Sequence, residues 1–278
     1  MPAELLQLRD AQLSIEGGVA EFTHQRPERR NPLSLELRQD YIDMLARVEG
    51  DRAIRALIVT GSGAAFCAGG DLKNLNQRLD NSDPQRSLAD DLRRRVLDVH
   101  TWFDRLRNLE IPVIAAVDGP AVGAGMSIAL AADIVLASRH AYFSMSFAKM
   151  GLVPDMAAAY ILPRIVGMAI AKDLMLTARR VDAEEAKQLG LVHSIYANDS
   201  LLAEARNFAR RFATGPQQAL GPIKRLLNRS FETSYATLAE LEANAQAVAS
   251  TTAYHTEALR RFARGEPALY DWDAAAKA

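Results

Sequence analysis

Asp155 is the one carboxylate in an otherwise largely apolar segment, FSMSFAKMGLVPDMAAAY. Upstream of it lie two glycine corners. The first is AAFCAGGDLK, with Gly69 and Gly70. The second is GPAVGAGMS, from Gly119 to Ser127. Each corner follows an apolar run that reads as a buried strand. The second corner feeds a short apolar helix starting near Ala124. The first N–H groups of a helix have no partner inside it, and they face outward with the positive end of the helix dipole. Two main-chain N–H groups aimed at one oxygen form an oxyanion hole. Losing one such donor typically costs roughly 10²–10³-fold in rate. An anion-cradling helix end with one acid/base group nearby is the chemistry these residue types allow.

Each feature also has a purely architectural reading. AAFCAGGDLK works equally as a strand-to-helix turn with Asp71 as a cap. Asp155 works as the N-cap of the helix that follows it. Phe147, Met150 and Val153 point to an apolar pocket, which would raise a carboxyl pKa, whereas a helix end would lower it. His100 sits beside the apolar stripe of its helix, where most histidines serve packing. His24, His140, His193 and His255 show no ligand spacing, so no metal site is expected. Arg93, Arg94 and Arg95 read as a solvated helix face.

The elements that must position these residues follow from pattern. Leu13 to Thr23 alternates around Gly17-Gly18, as in a hairpin. After the Asn31-Pro32 turn, Ser34 caps a helix running to about Glu49. Ile54 to Thr60 is a strand, Asn74 to Arg86 a polar mobile loop, and Leu88 to Leu109 a helix with Leu92, Val96, Val99, Phe103 and Leu106 on one stripe. Then come a strand (Ile111–Val117), a helix (Ala124–Ala131) and two strands (Asp133–Ala137, Tyr142–Ser144). A helix starts at Asp155 and is limited by Pro163 and Gly167, and another covers Met168 to Thr177. Asp182 and Glu185 form a capping box, Leu191 to Tyr196 is a short strand, and the pattern from Asp199 is helical only. The tail from Gly265 reads as loosely ordered. This order predicts an α/β core over 1–198 and a helical C-terminal region over 199–278.

The chain has 278 residues, 49% hydrophobic and 24% charged, ample for a sizeable core. Its formal charge of −1 argues against nucleic acid as the main partner. No apolar run reaches the roughly 18–20 residues that span a bilayer, and the start MPAELLQLRD lacks the pattern of a secretion signal. Cys67 is the single cysteine, which excludes an internal disulfide and fits a cytoplasmic enzyme.

The runs RPERRNPLS, AAFCAGGDLK, IPVIAAVDGPAVGAGMSIALAADIVLAS, Phe143 to Gly167 and RRVDAEEAKQLGLV together resemble the crotonase, or enoyl-CoA hydratase/isomerase, superfamily over nearly the whole length. The resemblance implies an α/β fold with a core of repeated ββα turns and C-terminal helices that make trimers or dimers of trimers. It also implies an acyl thioester of coenzyme A as substrate, CoA entering as part of that substrate with no separate cofactor. The family's two oxyanion donors match the N–H groups of Gly70 and Ala124. Ala68, Asp71 and Leu72 match the segment that holds the CoA adenine and pantetheine. Arg30 matches a position that meets CoA phosphates, and Phe262 and Lys277 fall where a neighbouring subunit completes the pocket.

The two glutamates of the family's hydratases fall on Ser127 and Phe147, so neither carboxylate needed for adding water is present, and the resemblance implies that these two residues face the substrate. FSMSFAKMGLVPD instead resembles the 3,2-enoyl-CoA and 1,2-epoxyphenylacetyl-CoA isomerase branch, which places one carboxylate at the position of Asp155. One carboxylate is enough for an internal proton shift. PDMAAAYILPRIVGMAIAKDLMLTARR also partly resembles 4-chlorobenzoyl-CoA dehalogenase, where the matching Asp is a nucleophile and a histidine matches His100. The tryptophan of that enzyme falls on Phe147. The resemblance thus implies an acyl-CoA isomerase first and a dehalogenase-like hydrolytic enzyme second. The loss of both glutamates leaves a third reading, an acyl-CoA binder without turnover.

Overall fold

The computed structural model describes residues 3–71 and 88–275. The strands are β1 (Glu4–Gln7), β2 (Ala11–Glu16), β3 (Val19–His24), β4 (Ala56–Gly61), β5 (Val113–Val117), β6 (Pro120–Val122), β7 (Ile134–Ser138), β8 (Tyr142–Ser144), β9 (Val181–Asp182) and β10 (Ser194–Tyr196). The helices are α1 (Leu35–Glu49), α2 (Leu88–Arg107), α3 (Ala124–Ala131), α4 (Ala158–Thr177), α5 (Ala183–Gln188), α6 (Leu201–Arg210), α7 (Gln217–Arg229), α8 (Tyr235–Ser250), α9 (Ala253–Ala263) and α10 (Trp272–Ala275). The expected loop from Asn74 to Arg86 and the residue Leu72 lie outside the described residues, as does Lys277.

Among the described residues, one sheet runs in the order β1-β2-β3-β4-β5-β7-β10 and a smaller one in the order β6-β8-β9. The first two pairings of the large sheet are antiparallel, and every pairing from β3 to β10 is parallel. Strand β2 alternates, with Ala11, Leu13 and Ile15 turned inward, as a strand covered on one face requires. Strand β5 is buried along its whole length, which explains its unbroken apolar sequence. Parallel strands leave their C-terminal ends on one rim of the sheet, and both glycine corners lie just beyond such ends, after β4 and after β5.

The main core lies between one face of the sheet and α1 to α4, with Tyr41, Trp102, Phe103 and Phe143 fully buried. Ser34 caps α1 through its Oγ, which accepts the Leu37 N–H at 2.9 Å. Helix α2 departs from the expected stripe. Val99, Trp102, Phe103 and Leu106 are buried, whereas Leu92 and Val96 are exposed. A twenty-residue helix is about 30 Å long, and only its second half reaches Tyr41, on which Trp102 stacks at 4.5 Å.

The second face of the sheet carries its own cluster, in which Ile58, Ile114 and Leu136 meet Leu201, Phe208 and Phe212 of α6 and the turn after it. The core therefore extends past residue 198. The tail is also better placed than its sequence suggests: Trp272 packs edge-on against Phe208 and at a tilt against Phe212, both at 4.9 Å. Helix α7 is pinned by Lys224, whose Nζ donates to Asp133 Oδ2 at 2.7 Å, while the same oxygen accepts the Val113 N–H at 2.7 Å. Asp182 caps α5 as expected, but Glu185 does not return the bond; its carboxylate pairs with Arg179 instead. Helix α4 runs through Pro163 and breaks at Gly167 (φ 77°, ψ 161°).

Candidate active site

The segment after β4 is built to lie flat against the corner after β5. Cys67 donates its N–H to Pro120 O at 3.0 Å and accepts the Val122 N–H at 3.0 Å. Gly69 adopts φ 97°, a left-handed conformation that favours glycine. A Cβ there would lie 2.7 Å from Val122 O, and the Ala124 nitrogen is only 3.8 Å from that point. The two glycine corners thus meet.

Gly70 forms a parallel bridge with Leu33 in which the Leu33 N–H donates to Gly69 O at 2.7 Å. In a parallel bridge one residue bonds through its own N–H and C=O, and its opposite number is flanked by the bonded groups. Here Leu33 does the bonding, so the Gly70 N–H points away from it and Gly70 itself is exposed. Gly123 uses its N–H on Ser144 O at 2.8 Å, which makes Ala124 the first residue of α3, with an N–H that the helix cannot satisfy. The ring of Phe147 borders the same corner, its edge 3.9 Å from where a Gly123 Cβ would stand.

Arg30 and Ala68 are brought together through main chain: the Ala68 N–H donates to Arg30 O at 2.9 Å, and the Arg30 side chain is exposed. Arg30 and Asn31 are both left-handed, and the corner they make is held by Asn31, whose Nδ2 donates to Ser62 O and Ala65 O at 2.9 and 2.7 Å. Asp71 is half-buried and lies in the field of Arg26, which pairs with Asp10 at 3.2 Å. Beneath the first corner, His24 is fully buried. Its Nδ1 lies 3.0 Å from Phe66 O and its Nε2 2.8 Å from Tyr41 OH. A carbonyl only accepts, so Nδ1 carries the proton and Nε2 accepts from Tyr41. Burial lowers the His24 pKa to about 4, which keeps it neutral.

Asp155 is not the N-cap of α4. Its main-chain carbonyl accepts the Ala158 N–H at 3.1 Å, and the cap position belongs to Ala157. The two residues between are both left-handed, Met156 at φ 50° and Ala157 at φ 54°. Neither is glycine, and such a conformation costs roughly 1–2 kcal/mol per residue. The turn frees the carboxyl group from capping. Its Oδ1 is buried and has no hydrogen-bond partner among the described residues. Burial raises the Asp155 pKa above the ordinary carboxylate value, and the charges of Arg38 and His100 pull it partly back. His100 is half-buried on α2, edge-on to Phe103.

Two expectations need correction. Met150 and Val153 do not wall a pocket; they are 56% and 83% exposed, because the 3-10 turn Ser146–Met150 and left-handed Gly151 turn them outward. Ser127 is not placed to touch substrate. It is fully buried, and its hydroxyl faces the carbonyls of Gly123 and Asp155, both at 3.4 Å. Arg38 was not expected at all: it lies on α1, far from Asp155 in sequence, in no motif. Among the described residues no cluster of His, Cys, Asp and Glu could hold a metal ion, and no helix is long and apolar enough to cross a membrane.

The chain is similar to known proteins. The sequence profile of the enoyl-CoA hydratase/isomerase family matches residues 14–271. The chain is 37% identical to 1,2-epoxyphenylacetyl-CoA isomerase of Escherichia coli K12 over 252 residues, covering 89% of this chain and 93% of that one. It is 32% identical to 4-chlorobenzoyl coenzyme A dehalogenase-2 of an Arthrobacter species, covering 82% and 81%. The crystal structure of an enoyl-CoA hydratase/isomerase from Cupriavidus metallidurans CH34 superimposes with a TM-score of 0.89 at 37% identity, covering 95% of this chain and 97% of that chain.

Proposed function

The chain belongs to the enoyl-CoA hydratase/isomerase family, and from that premise we propose that it isomerises an acyl-CoA thioester, moving a double bond or rearranging an epoxide or ring. The N–H groups of Gly70 and Ala124 grip the thioester oxygen. The Asp155 carboxylate takes a proton from one carbon and returns it to another. As the proton leaves, charge builds on the thioester oxygen, so the two donors act most strongly in the transition state. Arg30, Ala68 and Asp71 hold the CoA portion, and Phe147 borders the acyl end beside Gly123.

The observation that carries this reading is the buried Asp155 Oδ1 with no hydrogen-bond partner among the described residues. Burial leaves a carboxylate more basic than in water, which suits a proton shuttle. The test is Asp155→Asn, assayed with 3-enoyl-CoA substrates while solvent deuterium uptake is followed. Loss of at least 10²-fold in kcat, the lower end of what a positioned acid/base supplies, is the expected result. Unchanged turnover removes Asp155 from the mechanism.

One observation favours a second reading: the charge of His100 acts on Asp155. In a dehalogenase-like reaction Asp155 attacks the aryl carbon bearing the halogen, halide leaves, and water activated by His100 cleaves the resulting ester. This reading requires a covalent adduct on Asp155 with halobenzoyl-CoA, visible by mass spectrometry, and a defect in His100→Ala. Binding of acyl-CoA without product from a broad panel would leave only a ligand-binding role.

The helical region after Asp199 is proposed to make a homotrimer. Phe231, Tyr235 and Phe262 are 75%, 88% and 85% exposed, which is apolar surface of the kind that association buries. Light scattering should return three times, or for a dimer of trimers six times, 30.4 kDa; a monomer refutes it.

A further inference from the structure

We propose that Ser127 is a positioning residue, whose hydroxyl clamps the main chain of Asp155 and fixes the acid relative to the oxyanion donor on the same helix. The assignment rests on the reading of Asp155 as the acid/base group. Helix α3 is eight residues long and buried throughout. Its first residue, Ala124, supplies the N–H proposed to hold the thioester oxygen. One turn later the same helix presents Ser127, fully buried, whose Oγ lies 3.4 Å from Asp155 O and 3.4 Å from Gly123 O.

A serine inside a helix ordinarily bonds back to the carbonyl four residues before it. Here that bond is shared with a carbonyl from outside the helix, and that carbonyl belongs to the acid. Asp155 needs such a tether. The two residues after it are left-handed without being glycine, and the turn they form closes on the same carbonyl through the Ala158 N–H at 3.1 Å. The Met156 side chain is buried and holds the turn from within the core. The hydroxyl holds it from the side of α3. A rigid helix thereby spaces the carbonyl grip and the proton shuttle, and the carboxyl group, which has no hydrogen bond at Oδ1, is held through its backbone.

The test compares wild type with Ser127→Ala, Asp155→Asn and the double variant, on 3-enoyl-CoA. Ser127→Ala removes one oxygen from a buried helix of small residues, so the fold should survive; circular dichroism and a melting curve verify this. A reacting group displaced by about 1 Å can cost 10²-fold. The expectation for Ser127→Ala is therefore a ten- to hundredfold fall in kcat with KM unchanged within twofold. The acid limb of kcat/KM should move to lower pH, as a loosened carboxyl gains water. In the Asp155→Asn background the serine substitution should cost less than twofold, because a clamp on an absent acid has nothing to position. A kcat within twofold of wild type in Ser127→Ala, or an equal loss in both backgrounds, overturns the proposal. Should Asp155→Asn itself retain full turnover, the acid fails and the clamp with it. Loss in Asp155→Asn beside an unimpaired Ser127→Ala overturns the clamp alone.

Discussion

Gly125→Ala tests whether the contact between the two glycine corners sets the oxyanion hole. Gly125 is the second residue of α3, and a Cβ built on it would stand 2.1 Å from the Cys67 carbonyl oxygen and 2.9 Å from the Cys67 carbonyl carbon. Both are main-chain atoms, so no side chain can swing aside. Cys67 cannot retreat, because its N–H and C=O are both tied to the strand Pro120–Val122. The helix must therefore back away by about 0.9 Å to reach even the 3.0 Å that real Cβ contacts respect. That moves the neighbouring Ala124 N–H by a similar amount. An N–H···O bond lengthened by nearly an ångström from its usual ~2.9 Å is no longer a bond. The expected loss is that of one oxyanion donor, roughly 10²–10³-fold in kcat. The assay is steady-state turnover of an enoyl-CoA alongside thermal melting and a direct binding measurement with a saturated acyl-CoA. The variant should bind within a few-fold of wild type, melt lower because α3 is displaced from the core, and turn over far more slowly. A kcat within tenfold of wild type would refute the reasoning, since the displacement would then leave the donor in place.

Two further predictions concern pH. Asp155 has its pKa raised by burial in the folded state, so the folded protein favours the neutral acid, and stability is lost as pH rises from the ordinary carboxylate value of 3.8 through the raised one. Asp155→Asn should accordingly melt higher than wild type at pH 7, with the gap shrinking towards pH 4; a variant that melts lower at pH 7 refutes this. For His24 the sign is opposite. Its folded pKa of about 4 lies below the ordinary histidine value of 6.5, so stability is full above pH 6.5 and falls as pH drops through that window, by about 3 kcal/mol in total. Urea unfolding between pH 7 and pH 4 should show His24→Gln with a slope shallower by one proton; equal slopes would show that His24 does not titrate on unfolding.

What the sequence disclosed of this protein was whatever depends on neighbours in the chain. Ser34 announced α1 because a cap acts within three residues, and Gly119 to Gly125 announced the corner because only a glycine-rich turn feeds a helix so abruptly. Gly70 and Ala124 came from the family resemblance; the structure shows the two corners that carry them in contact, a Cβ built on Gly69 lying 2.7 Å from Val122 O and 3.8 Å from the Ala124 nitrogen. What depended on distant packing was illegible. Arg38 carries no local mark, and only the fold brings its charge to bear on Asp155. Leu92 and Val96 shared a stripe with Phe103, yet periodicity cannot say where the surface that a helix covers comes to an end.

Asp155 shows the limit most sharply. An Asp before a helical pattern is a cap by every local rule, and the rule fails because Met156 and Ala157 take a backbone conformation that their side chains disfavour. Such strain persists only when surrounding structure over-determines it. The surroundings here are the buried Met156 side chain, the Ala158 N–H and the Ser127 hydroxyl. A capping Asp would spend its carboxylate oxygens on backbone N–H groups, which would lower its pKa and leave little basicity for a substrate. The strained turn directs the Ala158 N–H to the main-chain carbonyl of Asp155 and leaves the buried Oδ1 with no hydrogen-bond partner among the described residues. Local rules are broken at the position of the proposed acid/base group, and a backbone conformation that costs stability fits a position set by function.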